Sequence, residues 1–228
     1  MGLGIFFIMI FCTLLIICLN IVQIKSHPNI CIRVICCILF IFTGLRYISL
    51  IVFTLGAKIS VLKLLSYFYF ASSIGITIPS ALALWYIIPR FRERIRLWVL
   101  FLLLSPFFFF YLILIYLQPL KIIIKPGFGY RLMILQPWSN YFSILQAIFI
   151  ILVFLGCFLG FKWYQYKSPR SQYLLFALGY GLMFIDGVSV LINKNTPIEP
   201  FILSEAFVMV AILYAFSTKP IKERVNTA

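Results

Sequence analysis

Apolar residues run through the chain in seven long stretches, separated by short polar connections. The stretches cover roughly Leu3–Gln23, Val34–Gly56, Leu64–Ile88, Trp98–Leu120, Tyr141–Phe161, Tyr173–Asn193 and Phe201–Ser217. Apolar runs of about 18 residues or more are long enough to cross ~30 Å of hydrocarbon as helices. Membrane-spanning strands would alternate apolar and polar positions. These runs are continuous, so helices are predicted. The longest connection, Lys121 to Asn140, contains Lys125-Pro126-Gly127 and Gln136-Pro137. Those are turn signals, and a small interfacial element is predicted there. The expected fold is an all-α bundle of seven transmembrane helices, forming one domain over residues 1–228.

Composition supports a membrane protein. Hydrophobic residues make up 64% of the 228, charged residues 11%, and mean hydropathy is +1.12. Soluble domains carry about 25% charged residues. The formal charge of +14 does not point to nucleic acid, because the basic residues fall in short clusters between apolar runs. Orientation signals and anionic lipid contacts would place them there. The six cysteines show no CxxC spacing and mostly lie in apolar runs, so neither disulfides nor a metal site is expected. The first twenty residues lack a basic leader and a clear small-residue cleavage site. They read as a span that stays.

The basic residues divide unequally between the two sides. Connections one, three and five and the tail hold twelve of the nineteen, and connections two, four and six hold six. The remaining one, Arg46, lies inside a span. The bias predicts an N-terminus outside and a C-terminus in the cytoplasm. The sharpest cytoplasmic signal is PRFRERIRLW, with Arg90, Arg92, Arg94 and Arg96 at alternate positions between Trp85 and Trp98. Two roles stay open for it: contact with anionic lipid headgroups, or docking of a cytoplasmic partner.

Three charges interrupt the spans. Arg46 lies near the middle of the second, Asp186 in the outer half of the sixth, and Glu205 about one turn into the seventh. A charge at the centre of a membrane helix costs ~2.5–3.5 kcal/mol on insertion scales, so such groups face the protein interior and find partners. The expected contact is Arg46 with Asp186, with Glu205 nearby, which would offset the desolvation of all three. A buried pair that fixes packing, a polar floor beneath an outward-opening ligand pocket, and a proton or ion pathway are all compatible with that pattern. The third span adds Ser72, Ser73 and Thr77 near Gly75 and Pro79, either for close helix packing or as cavity lining. Gly156 with Gly160, and Gly179, Gly181 and Gly187, are further sites for close approach.

Chemistry finds no purchase. The one histidine, His27, lies four residues before Cys31 with Pro28 between them, and no third group is evident to orient a nucleophile. HExxH, Walker A and GxSxG patterns are missing. The seventh span has no mid-helix lysine for a retinal Schiff base. No enzymatic activity and no cofactor are expected.

From the third span onward, the order of features resembles the seven-helix membrane sensor region at the N-terminus of certain bacterial histidine kinases. IPSALALWYIIPRFRERIRLW resembles that family's third span and basic turn, and LLLSPFFFFYLILI its fourth span. GFGYRLMILQPWSNYFSILQAIFIIL resembles its outer loop and fifth span. SPRSQYLLFALGYGLMFIDGV and IEPFILSEAFVMVAILYAFS resemble its last two spans. The resemblance covers about residues 64–218. It implies a receptor-like bundle in the bacterial inner membrane that passes a conformational change to the cytoplasm through the seventh helix. The sequence up to Ala228 holds no kinase or PAS module, so output is expected through a separate cytoplasmic partner or another membrane subunit. A small seven-helix carrier is the competing expectation, although spans one to three and five to seven show no convincing self-similarity.

Overall fold

The computed structural model describes residues 3–56, 58–125, 129–164, 167–191 and 201–218. In chain order the helices are α1 (Leu3–Lys25), α2 (Ile30–Leu55), α3 (Ile59–Leu65), α4 (Ala71–Ile87), α5 (Pro89–Arg94), α6 (Leu97–Leu117), α7 (Trp138–Trp163), α8 (Lys167–Leu191) and α9 (Ile202–Ser217). A hairpin of β1 (Leu120–Lys125) and β2 (Gly129–Ile134) lies between α6 and α7. Among the described residues, six helical stretches are long and apolar enough to cross a membrane. The described residues are thus mostly helical, compatible with an all-α membrane bundle, and the hairpin interrupts the helices between α6 and α7.

Local sequence sets the helix ends. The Asn29 side chain accepts from the amides of Cys31 and Ile32 and starts α2, as an N-cap should. Gly56, at φ +78°, closes α2 in the left-handed conformation that glycine tolerates. The third span departs from expectation. Its helix does not run unbroken from Leu64, because a 3-10 turn at Ser66–Phe68 separates α3 from α4. The Ser66 hydroxyl donates to the Lys63 carbonyl and to Gln118 Oε1, which ties that turn to the end of α6. α4 ends at Ile87 because Ile88 is extended before Pro89.

The hairpin is antiparallel, with Leu120 opposite Ile134 and Ile122 opposite Leu132. Strand alternation puts Leu120, Ile122, Tyr130 and Leu132 on one face. That face packs with Phe53 of α2 and Leu62 of α3 in a small core of its own. Gly129 sits at φ +73°, and a side chain there would run into the carbonyls of Phe53 and Thr54. This close backbone approach anchors the hairpin to the end of α2.

α9 lies inside the bundle beside α4, the most buried of the described helices. It packs against α1, α4 and α8, while α2 packs on α1 and α4, and α7 on α8. α9 runs parallel to α1, since Asn20 Nδ2 donates to the Met209 carbonyl and Gln23 Nε2 to that of Phe216. It runs antiparallel to α8, where a side chain on Gly179 would meet the Val208 backbone within 3.2 Å. Of the other glycines expected to permit close packing, Gly160 seats the Tyr173 ring, and Gly156 and Gly181 make only ordinary contacts. Gly187 faces open space.

The tightest helix crossing joins α2 to α4. A Cβ on Gly75 would sit 1.8 Å from Thr43 Oγ1 and 2.9 Å from the Leu39 carbonyl. The second of these is backbone and cannot rotate away. Gly75→Ala is therefore expected to lower stability by about 1–3 kcal/mol through overpacking. Gly187→Ala should be neutral or slightly stabilising, because it gains helix propensity in open space. Thermal unfolding of both variants in detergent checks the opposite signs.

Candidate functional site

The α2–α4 crossing sets up a polar site one turn further along. Arg46 follows Thr43 by three residues on α2, and Ser72 precedes Gly75 by three on α4. Glu205, in the first turn of α9, faces both. Arg46 Nη1 forms an ion pair with Glu205 Oε2. The Tyr47 hydroxyl donates to the same oxygen, and the Ser72 hydroxyl to Oε1 at 3.5 Å. Both carboxylate oxygens are therefore bonded. Arg46 and Glu205 are only 6% and 5% exposed, so this pair is removed from solvent.

Two further effects hold the charges. The guanidinium carbon lies 5.4 Å from the Tyr47 ring centroid and 5.8 Å from that of Tyr69, within cation–π range. Glu205 sits near the N-terminus of α9, where the helix dipole favours an anion. Tyr69 also packs against the small core formed by α3 and the hairpin. It thereby links that core to the arginine.

Sequence reasoning placed the charges in a shared interior but paired them differently. Arg46 takes Glu205, and among the described residues Asp186 joins no ion pair. Asp186 is only half-buried near the end of α8. Measured from the Gly179–Val208 contact, it lies about 10 Å toward the hairpin end, against about 4.5 Å for Glu205. The two carboxylates sit at different depths, and the lower one faces α2. Ser73 points about 100° around the helix from Ser72, is half-buried, and makes no bond to Glu205. Thr77 is buried elsewhere, 3.5 Å from the Tyr111 hydroxyl. Tyr47 and Tyr69 were missed. Tyr47 adjoins Arg46 in sequence, but thirteen tyrosines conceal such a signal.

At the opposite end, α5 carries Arg90, Arg92 and Arg94, and Arg96 caps the start of α6. Arg90, Arg94 and Arg96 are exposed and Arg92 is half-buried. The Arg90 guanidinium covers the Trp163 ring at 4.9 Å, and that of Arg92 lies 5.7 Å from the Tyr86 ring centroid. His27 is buried beside them, its ring 4.8 Å from Tyr86 and 5.6 Å from Phe216. Its Nδ1 accepts from the Asn29 amide. Burial lowers its pKa below the ordinary 6.5, against a smaller opposing effect of the Asn29 carbonyl, 3.5 Å from Nδ1, which favours the protonated ring.

Among the described residues, no group of three or more histidines, cysteines or acids could hold a metal. His27 packs against the Tyr86 and Phe216 rings. The chemistry available at the Arg46–Glu205 site is the making and breaking of an ion pair, by a proton on the acid or by an anion competing for the arginine. No protein-family model matches the chain, and no curated protein matches it in sequence. The class of protein therefore rests on the structure: a mostly helical chain with membrane-length apolar helices and a buried ion pair.

Two outcomes follow. Glu205→Gln or Arg46→Met alone strands a buried charge and should cost about 3–5 kcal/mol, while the double variant should recover much of that loss. A double-mutant cycle of unfolding in detergent measures it. For His27, the lowered folded pKa means the unfolded chain binds more protons below pH 6.5. Stability should hold above that pH and fall as pH drops below it, and His27→Phe should flatten this slope in unfolding midpoints measured against pH.

Proposed function

We propose that this protein is a receptor-like sensor or regulatory subunit of the cell membrane, in which the Arg46–Glu205 pair is the switch. In this reading α9 serves as the seventh span. Its sixteen residues cover about 24 Å. The N-terminus lies outside, the C-terminus in the cytoplasm, and the membrane is the bacterial inner membrane. The hairpin end then faces outward, and the arginines of α5 meet the cytoplasmic headgroups or a partner.

The observation that carries this reading is the geometry of α9. Glu205 lies in its first turn, and Phe216, in its last, packs on His27 and Tyr86. Arg92 lies over the same Tyr86. A single helix thus joins the ion pair at one end to the arginine cluster about 16 Å away. Protonation of Glu205, or an anionic ligand drawing off Arg46, removes the ion pair between α2 and α9 and leaves the neutral Tyr47 bond in its place. α9 is then free to shift, and its far end moves the α5 surface. A ligand acts this way only through different affinities for the two packings.

The test uses spin labels at Arg94 and Ser217 in otherwise cysteine-free protein reconstituted in nanodiscs. Glu205→Gln should change the distance distribution between the labels. Folded Glu205→Gln and Arg46→Met proteins with unchanged distances would sink the switch. A liposome assay showing solute uptake would favour a carrier instead.

A further inference from the structure

α5 is fixed across the arginine-bearing end of the bundle by contacts on both sides. Trp85 Nε1 on α4 donates to the Ile95 carbonyl at 2.9 Å. The Arg90 amide donates to the Tyr164 hydroxyl, just past α7, at 3.1 Å. The Phe91 ring meets the Trp163 ring edge-on at 5.9 Å. This short helix is therefore a set platform, and its side chains have defined places.

Its arginines divide between two sides. Arg92 turns onto Tyr86. Arg90 and Arg94 are both exposed and four residues apart, which makes them neighbours on one helix face. Like charges at this spacing disfavour the helix, and an anion between them removes that penalty. Arg96 and Lys162 add two more exposed cations. Among the described residues at this end, Glu93 is the one acid, so the surface stays strongly positive. The Arg90 guanidinium stacks on the Trp163 ring at 4.9 Å. Stacking takes up a flat face of the guanidinium and leaves its N–H fork to an in-plane acceptor, which suits two oxygens of one phosphate.

Depth selects the source of that phosphate. Three of the four tryptophans, Trp85, Trp98 and Trp163, lie at this end, and Trp98 is largely exposed two residues after Arg96. Tryptophan concentrates at the level of lipid headgroups. The cations sit where α6 begins and α7 ends, and both helices are of membrane length. We infer that Arg90 and Arg94, flanked by Arg96 and Lys162, form a binding site for the phosphate of an anionic phospholipid. This rests on the membrane placement in the reading above but not on the Arg46–Glu205 switch.

Native mass spectrometry of the intact protein, released from nanodiscs of equal phosphatidylglycerol and phosphatidylethanolamine, tests the site. The unaltered protein should retain phosphatidylglycerol several-fold in excess. The pair Arg90→Gln and Arg94→Gln should remove most of that preference. Lys58→Gln with Lys63→Gln, the same charge change at the hairpin end, should leave it intact. Arg90→Lys with Arg94→Lys keeps the charge but loses the fork, and should at least halve it. No preference in the unaltered protein would leave the arginines to a protein partner and overturn the inference. Equal losses in the two glutamine pairs would mean diffuse attraction without a site, and would overturn it too. So would displacement of the lipid by millimolar inorganic phosphate, which would assign the surface to a free anion. If the glutamine pair does not fold, the lysine pair decides, and an unchanged preference there rejects the site. Glu205→Gln should retain the preference, so the switch can fail while the lipid site stands.

Discussion

The buried pair of Arg46 and Glu205 constrains everything around it. A charge in a low-dielectric interior is stable only with a partner and with its remaining hydrogen-bonding capacity filled. That requirement dictates which face of α2 turns inward and how deeply α9 sits. It also brings in Tyr47 and Ser72 to finish the carboxylate, and Tyr69 to cover the guanidinium. The absence of a side chain at Gly75 lets α4 approach α2 closely enough for Ser72 to reach. One missing Cβ and one ion pair thus set the geometry of three helices.

Around this centre, association relies on polar glue and small residues. Lipid tails are as apolar as leucine, so apolar burial alone does not choose one helix face over another. Asn20 and Gln23 reach carbonyls of α9, Gln172 bonds the Tyr214 carbonyl and the Thr218 hydroxyl, and Gly179 admits the Val208 backbone. Each of these contacts bears on α9. The helix that these contacts hold is also the one that connects the ion pair to the arginine-bearing end.

Depth separates two kinds of polar chemistry. Glu205 sits one turn from the start of α9, whereas the Thr77, Tyr111 and Gln146 cluster is uncharged and lies further along α4 toward its arginine-bearing end. Charges cost most at the middle of a bilayer, and neutral polar groups can be satisfied there by one another, as Gln146 and Tyr111 are. A charged pair near one end and a neutral polar cluster further in are different solutions to the same solvent.

Much of this architecture was legible in the residues. Continuous apolar runs can only be helices in lipid, because every backbone group must then be satisfied within its own segment. The positions of the long helices and the inward turn of Arg46 and Glu205 follow from that. The hairpin was visible only as turn signals around Lys125-Pro126-Gly127, since a run such as Ile122–Ile124 serves strand and helix alike. The choice of Glu205 over Asp186 was not legible, because it depends on the relative depth of α8 and α9 at the Gly179–Val208 contact. Nor were Tyr47 and Tyr69, whose roles come from which helix each ring meets. Hydrophobicity along one chain determines which segments enter the membrane. Register between segments depends on contacts between distant residues, and only the folded structure decides those.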